Sequence, residues 1–194
     1  MIILETRGFL DSGVIGTLVR RVREEIECRG DSEPEITCAA SLAHHRLLSS
    51  VNYMRLTNVD LTSVPAEHLA SLVSSVTVRV DIKSVSSCGL VTILDSVNSN
   101  NKLGIIDQNL DSEETRALVR AMESVVKRVE LHRGVTLDIR AMMEYSGQGK
   151  CREVWCYDDT VAKYRDQLRT WVTSRNWTVT NDEESYFCSR RSDL

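Results

Sequence analysis

The sequence has little proline and glycine, and no long apolar run. Only 2 of its 194 residues are Pro and 9 are Gly, which argues against a collagen-like or Pro/Gly-rich disordered chain. No apolar run reaches the roughly 18 residues that indicate a membrane-spanning helix. The start, MIILETRGFL, lacks the basic segment of a signal peptide. We therefore expect an ordered, cytoplasmic protein with no membrane partner.

Motifs for metal binding and catalysis are also missing. The six cysteines are scattered, with no C-x-x-C pair and no Cys/His cluster at ligand spacing. Without a secretory signal, such thiols are expected to be reduced and mostly buried. The chain has no Walker A loop, no G-x-S-x-G motif and no carboxylate pair with a placed partner group. The sequence predicts no metal, no cofactor and no catalytic site, so we expect a protein that is not an enzyme.

The charge balance limits the classes of partner. The formal net charge is -4. Nucleic-acid-binding proteins usually carry a basic surface, so we expect no nucleic-acid partner. A net negative charge is compatible with a basic protein partner, although it does not require one.

The main feature is a pattern that recurs along the chain. Two apolar residues flank one variable residue, and a stretch with apolar residues at helical spacing follows. The first apolar positions are 54, 80, 103, 129, 154 and 177, which gives spacings of 26, 23, 26, 25 and 23. A steady period of about 20 to 50 residues indicates stacked structural repeats.

Between these short strands, the apolar residues follow the i, i+3, i+4, i+7 spacing of one helix face. Ser112 is the predicted N-cap of the helix that carries Leu118 and Met122. Each unit is thus a strand, a turn and a helix, and it buries a core by stacking on its neighbours. The predicted stripes are Leu69, Leu72, Val73 and Val76; Leu90, Ile93, Leu94 and Val97; Leu118, Met122 and Val125; Ile139, Met142 and Met143; and residues from Val161 to Val172.

The first quarter of the chain fits the repeat less well. DSGVIGTLVRRVREEIE carries a helical stripe from Val14 to Ile26, and ITCAAS, from Ile36, is interpreted as another strand. That strand would lie only 18 residues before Met54, too close for a full unit. We therefore divide the chain into irregular N-terminal repeats or a cap at 1–46, regular repeats of about 25 residues at 47–181, and a C-terminal tail or cap at 182–194.

The motif of apolar, two variable, apolar, variable and apolar residues resembles the leucine-rich repeat. It occurs in VNYMRL, VKRVEL and CREVWC, which begin at Val51, Val126 and Cys151. The regular helices are similar to those of the ribonuclease-inhibitor-like subclass and of the C-terminal sensor repeats of NOD-like receptors in innate immunity. The resemblance implies an α/β solenoid, with short parallel strands on a concave face and helices on a convex face.

The loops depart from the family at one position. Three residues after the second strand apolar residue, the family usually has Asn or Cys. The side chain of that residue bonds to the neighbouring turn, so the loops of this chain must satisfy their backbone groups another way. The chain has Val59, Val85, Gln108, Gly134 and Asp159 there.

In such a fold, the variable strand residues line the concave face, because side chains alternate across a strand. Arg79, Lys102 and Arg128 would form a basic strip, and Trp155 and Tyr157 would place two aromatics near its C-terminal end. Arginine and aromatic residues are the usual anchors of protein interfaces. The predicted partner-binding residues are Arg55, Arg79, Lys102, Arg128, Glu130, His132, Trp155 and Tyr157.

The sequence therefore predicts a leucine-rich-repeat binding module that recognises a protein partner or ligand on its concave face. The sensor region of a NOD-like receptor is one setting for it. The oligomeric state is left open, including association through the ends of the array. The alternative is a compact, doubly wound α/β enzyme or nucleotide-binding domain, since units of about 25 residues also suit βαβ folds. Against it, there is no glycine-rich loop between strand and helix, and the strand cores are short and one-sided.

Overall fold

Strands and helices alternate along the chain. The computed structural model describes residues 25–30, 33–48, 50–97, 101–124, 128–144, 153–157, 177–182 and 185–190, with single residues at 167 and 170. For the last three strands it describes the backbone alone. The elements are β1 (Glu25–Arg29), α1 (Glu33–His44), β2 (Val51–Thr57), α2 (Ala66–Ser75), β3 (Val76–Lys83), α3 (Ser87–Ser96), β4 (Lys102–Ile106), α4 (Ser112–Ser124), β5 (Arg128–Leu131), α5 (Ile139–Glu144), β6 (Glu153–Tyr157), β7 (Trp177–Asp182) and β8 (Ser185–Arg190).

The first six strands form a parallel sheet whose order follows the chain. Each strand pairs in parallel with the next, and each described helix packs against the next helix. The α/β class with parallel strands and alternating helices is therefore confirmed. One register line crosses the sheet through the first apolar residue of every unit: Ile26, Met54, Val80, Leu103, Val129 and Val154.

The elements between residues 25 and 44 differ from those that the sequence predicted. Residues from Ile36 form part of α1, so the predicted strand there is wrong. Ile36, Ala39 and Ala40 lie at helical spacing and are almost completely buried. The predicted helix is also wrong at its end, because Ile26 lies in β1 and pairs with Met54. Residues 14–24 lie outside the described part of the chain.

The predicted copy at Trp177 and Val179 is wrong as a further parallel unit. The strand β7 pairs with β8 in antiparallel orientation, and β8 in turn pairs antiparallel with β6. Only residues 183 and 184 separate β7 from β8, whereas a parallel crossover needs about a dozen residues or more. The strand β8 thus occupies the edge of β6 that another parallel unit would use.

The core lies between the sheet and the helices. Alternate strand residues point into it, and their burial stabilises the fold by about 1.5–3 kcal/mol per large apolar side chain. The described residues of the predicted stripes in α2, α3 and α4 are buried, although Val76 belongs to β3. Val125 and the predicted stripe from Val161 to Val172 lie outside the described residues. Met143 of α5 is 43% exposed and does not belong to the core. The inward strand residues are Met54, Leu56, Val80, Ile82, Leu103, Ile105, Val129 and Leu131, each exposed by 3% or less.

The N-cap of α4 is one residue earlier than predicted. Asp111 Oδ1 accepts hydrogen bonds from the backbone N–H groups of Glu113 at 2.8 Å and Glu114 at 2.9 Å. The Glu114 carboxylate accepts in return from the Asp111 N–H at 2.9 Å, which completes a capping box. The hydroxyl of Ser112 instead donates to Asp138 in the next unit, so it links the starts of two neighbouring helices.

The loops after the strands satisfy their backbone groups through neighbouring loops. The Gln108 amide accepts from Val85 N at 2.9 Å and donates to Val85 O at 3.0 Å, which replaces the missing Asn or Cys at this position. Other loops use backbone bonds, as from Ser86 N to Val59 O at 3.1 Å, and hydroxyl side chains, as from Leu61 N to Ser86 Oγ at 3.0 Å. Each unit therefore depends on its neighbour for complete hydrogen bonding.

A left-handed residue follows most strands. Gly30, Asn58, Ser84 and Asp107 come directly after β1 to β4 and have φ between 46° and 58°. After β5 the left-handed residue is Gly134, with φ of 76°, and it comes one residue later in the unit than the others. A residue with positive φ thus follows each of five consecutive strands.

Candidate functional site

The candidate site is the sheet face opposite the helices, here called the charged face. Its residues alternate with the core residues along each strand, and the observed register places them in three columns across the sheet. The first is Glu25, Tyr53, Arg79, Lys102, Arg128 and Glu153; the central is Glu27, Arg55, Asp81, Gly104, Glu130 and Trp155; the third begins with Arg29, Thr57, Lys83 and Ile106.

Asp81 is the hub of the central column. It is only 1% exposed, yet three neighbours bind its carboxylate. Arg79 donates from Nε to Oδ1 at 2.8 Å, Tyr53 donates from Oη to Oδ2 at 2.6 Å, and Arg55 Nη2 lies 3.4 Å from Oδ2. A buried carboxylate needs such partners, because water no longer stabilises its charge.

Arg79 connects Asp81 to a second buried acid two strands away. Its Nη2 lies 2.8 Å from Glu130 Oε2 on β5, although Arg79 itself is on β3. The intervening residue of the central column is Gly104, where an added Cβ would overlap Asp81 Oδ1 and lie 3.2 Å from Arg79 Nη2. The absence of a side chain at Gly104 therefore gives the guanidinium room to cross β4.

Further side chains complete the network at both sides. Arg29 Nε donates to Glu27 at 2.8 Å, and Arg55 Nη1 lies 3.9 Å from the same carboxylate. On the other side, Arg128 Nη1 lies 3.7 Å and His132 Nε2 lies 3.6 Å from Glu130. The ion pairs thus connect β1, β2, β3 and β5. Only the intervening strand β4 contributes no side chain to them.

The electrostatic environment keeps Glu130 ionised. The His132 imidazole, followed by the Arg79 guanidinium, lowers the pKa of Glu130 from 4.5 to about 2. Burial, followed by the hydrogen bond to Asp81, raises the pKa of Tyr53 to about 12. At neutral pH, the network therefore contains a fixed anion at Glu130, which pairs with Arg79, and a neutral phenol at Tyr53, which donates to Asp81.

The lowered pKa of Glu130 predicts an acid-dependent loss of stability. A carboxyl group whose pKa is lower in the folded state stabilises the fold above its unfolded pKa, and this contribution disappears as the pH falls through the folded pKa. We expect Glu130→Gln to cost about 2–3 kcal/mol of unfolding free energy at neutral pH. The difference from the parent should shrink between pH 4.5 and about pH 2.

Urea unfolding at several pH values measures this effect. Glu67→Gln, at an exposed glutamate of α2, is the matched control and should leave the pH dependence of the parent unchanged. A Glu130→Gln variant whose deficit stays constant down to pH 2 would show that the Glu130 charge contributes little to folding.

The structure brings most of the predicted site residues together. Arg55, Arg79, Lys102 and Arg128 lie on the charged face at the predicted register. Glu130 is only 6% exposed, and its carboxylate contacts Arg79 and Arg128. His132 lies beside it. The backbones of Trp155 and Tyr157 lie in β6, with Trp155 opposite Glu130, but their side chains are outside the described part.

Sequence reasoning missed the contribution of β1. The predicted helical stretch ends at Glu27, because its apolar stripe extends to Ile26, and Arg29 lies outside any predicted element. The stretch IECRG matches VELHRG around Glu130, with two apolar residues flanking a glutamate before an Arg-Gly step. That similarity was the available sequence sign of a strand at this position. The role of Asp81 as a buried hub was also missed.

The described residues do not assemble a metal centre. No group of three or more His, Cys, Asp or Glu side chains among them is arranged to hold a metal ion. Cys38 is half-buried and Cys88 is exposed, and these two form no disulfide. The side chains of the other four cysteines lie outside the description. The described side chains of the charged face are joined by ion pairs and hydrogen bonds.

Comparisons with known proteins give no relative. No protein-family model, no curated protein and no solved structure matches this chain. Among the helices that the structure describes, none is both long and apolar enough to cross a bilayer.

Proposed function

We propose that this chain is a non-enzymatic binding module, a leucine-rich-repeat-like solenoid that recognises a protein partner on its charged face. The strand order supports the solenoid. A doubly wound sheet reverses its strand order and carries helices on both faces, whereas here the six parallel strands follow the chain and the described helices contact each other in series. Stacked units of strand, turn and helix have this arrangement.

The observation that carries the proposed function is the layered charge of the charged face. The side chains of Glu27, Asp81 and Glu130 are 5%, 2% and 8% exposed, while those of Arg55 and Arg79 are 41% and 26% exposed. Buried acids thus hold arginines that still reach solvent. Side chains ordered before binding lose less entropy in a complex, and arginine is enriched at interface hot spots.

The resemblance to NOD-like receptor repeats extends the proposal to a sensor role in innate immunity. That extension rests on the repeat motif at Val51, Val126 and Cys151, and it identifies a setting without naming a partner.

Panning a random peptide library on the whole chain tests the binding face. We expect selected peptides to lose binding to Thr57→Trp, because the indole would cover the third column between Arg29 and Lys83. Ala66→Trp, at the exposed first residue of α2, is the matched control and should retain binding. Phage capture and thermal melting measure binding and folding of each variant.

The proposal fails if the library yields no binder, or if the selected peptides bind the folded Thr57→Trp variant as well as the parent. Peptides that lose binding to Ala66→Trp but still bind Thr57→Trp would place the binding surface on the helix layer instead.

A further inference from the structure

The middle strands of the charged face carry more cations than carboxylates, whereas the whole chain has a net negative charge. On β2 to β5, its three columns hold five cations and two carboxylates, although the formal net charge of the chain is -4. The two carboxylates, Asp81 and Glu130, are 1% and 6% exposed. A partner therefore meets the cations first. The five cations are Arg55, Arg79, Lys83, Lys102 and Arg128. Of these, Lys83 is paired with the exposed Asp107 in the loop after β4, whose Oδ2 lies 3.2 Å from Lys83 Nζ.

Lys102 differs from the arginines around it. It lies in the first column between Arg79 on β3 and Arg128 on β5. Each of these two strands is about 4.8 Å from β4. Arg79 is held by Asp81 and Glu130, but Lys102 forms no salt bridge with any described residue. The nearest central-column position on its own strand is Gly104, which offers no side chain to pair with it. Lys102 is thus a half-exposed cation whose charge no described acid compensates.

We infer that the charged face binds an acidic protein segment, with aspartate or glutamate side chains paired to the strip of Arg79, Lys102 and Arg128. The inference rests on the proposed function and names its partner class. Carboxylates match the planar donor geometry of arginine, and Arg79 is already oriented by two buried acids. A basic partner, which the net charge alone would allow, would meet exposed cations and be repelled.

An acidic protein segment fits this face better than a nucleic acid. Nucleic-acid binding gains most of its affinity from phosphates, and a chain of net charge -4 repels a long polyanion at a distance. The strip spans three strands, or about 10 Å, which suits a few carboxylates on one short segment.

Fluorescence anisotropy with a short labelled polyglutamate peptide tests the inference on the whole chain. We expect saturable binding that weakens with added salt, and no binding of a polylysine peptide of equal length. Lys102→Glu should weaken polyglutamate binding by about tenfold or more, because it replaces an attraction by a repulsion. Its melting temperature should match the parent, since no described salt bridge is lost.

Arg140→Glu is the matched control. It makes the same kind of charge reversal at an exposed residue of α5, away from the charged face, and should change the affinity by less than about twofold. Equal weakening by Lys102→Glu and Arg140→Glu would show attraction to the overall charge and would overturn the inference.

Two other results would overturn the inference and leave the proposed function in place. The first is a failure to bind polyglutamate while library peptides still depend on Thr57. The second is a single-stranded DNA oligonucleotide that binds more tightly than polyglutamate with the same dependence on Lys102. If neither polyglutamate nor any Thr57-dependent peptide binds, the proposed function fails together with the inference.

Discussion

Replacing Asp81 with alanine is expected to lower the free energy of unfolding by about 3–4 kcal/mol. Asp81 is 1% exposed and binds Arg79, Arg55 and Tyr53. Its removal leaves the half-buried Arg79 with Glu130 alone and deprives the Tyr53 hydroxyl of its acceptor. Groups that lose a partner away from water carry the full cost of their desolvation. Urea unfolding of the parent and variant measures this difference.

Asp95→Ala is the matched control for Asp81→Ala. Asp95 binds both Nε and Nη2 of Arg120, at 3.0 and 2.8 Å, so the pair is well formed. Both side chains are exposed, at 42% and 39%, and we expect a loss below about 1 kcal/mol. Similar losses for the two aspartates would mean that the network on the charged face behaves as an ordinary surface ion pair.

Gly134→Ala is expected to lower the unfolding free energy by about 2–3 kcal/mol. The left-handed φ of 76° disfavours any side chain by about 1–2 kcal/mol. In addition, a Cβ at Gly134 would overlap Asp107 Oδ1 and lie 3.0 Å from Asp107 Cα, so the backbone of the neighbouring turn would have to move. Thermal and urea unfolding both measure the loss.

Gly30→Ala separates strain from overlap. Gly30 has φ of 58°, but a Cβ there meets no heavy atom within 4 Å. We expect a loss of about 1 kcal/mol from the backbone conformation alone. An equal loss at the two glycines would show that Asp107 accommodates the added methyl group, and that conformation accounts for both effects.

The register of the sheet could be predicted because it depends on a simple alternation. Wherever two apolar residues flank one polar residue, the polar side chain points away from the core. The positions of Arg79, Lys102 and Arg128 in one column follow from the chain spacing of the apolar pairs, and the structure has the same column.

The ion-pair network could not be predicted in the same way. Arg79 reaches Glu130 across β4, and nothing in the local sequence of either residue indicates a partner two strands away. The crossing depends on Gly104 having no side chain. From the sequence alone, this glycine indicates only a missing charge in the central column. Burial of Asp81 and Glu130 likewise results from the arginines that cover them, a property of the assembled sheet.

The errors at the two ends have separate physical causes. At the N-terminal end, Ile26 fits both the end of a helical apolar stripe and the start of a strand pattern. Its pairing with Met54 stabilises the strand. At the C-terminal end, Val179 matches the apolar pattern of a repeat strand. The short connection to β8 nevertheless requires an antiparallel hairpin.

The sequential strand order has a consequence for how the chain folds. Each parallel pair joins residues 23 to 28 positions apart, as for Val80 with Leu103 and Ile26 with Met54. Every loop to be closed is therefore short, and the entropy lost on closure stays nearly constant from one strand to the next. During synthesis from the N-terminus, each of the strands β2 to β6 emerges with its parallel neighbour already made. The parallel part of the sheet can grow in the order of translation, and β8 then pairs with the free edge of β6.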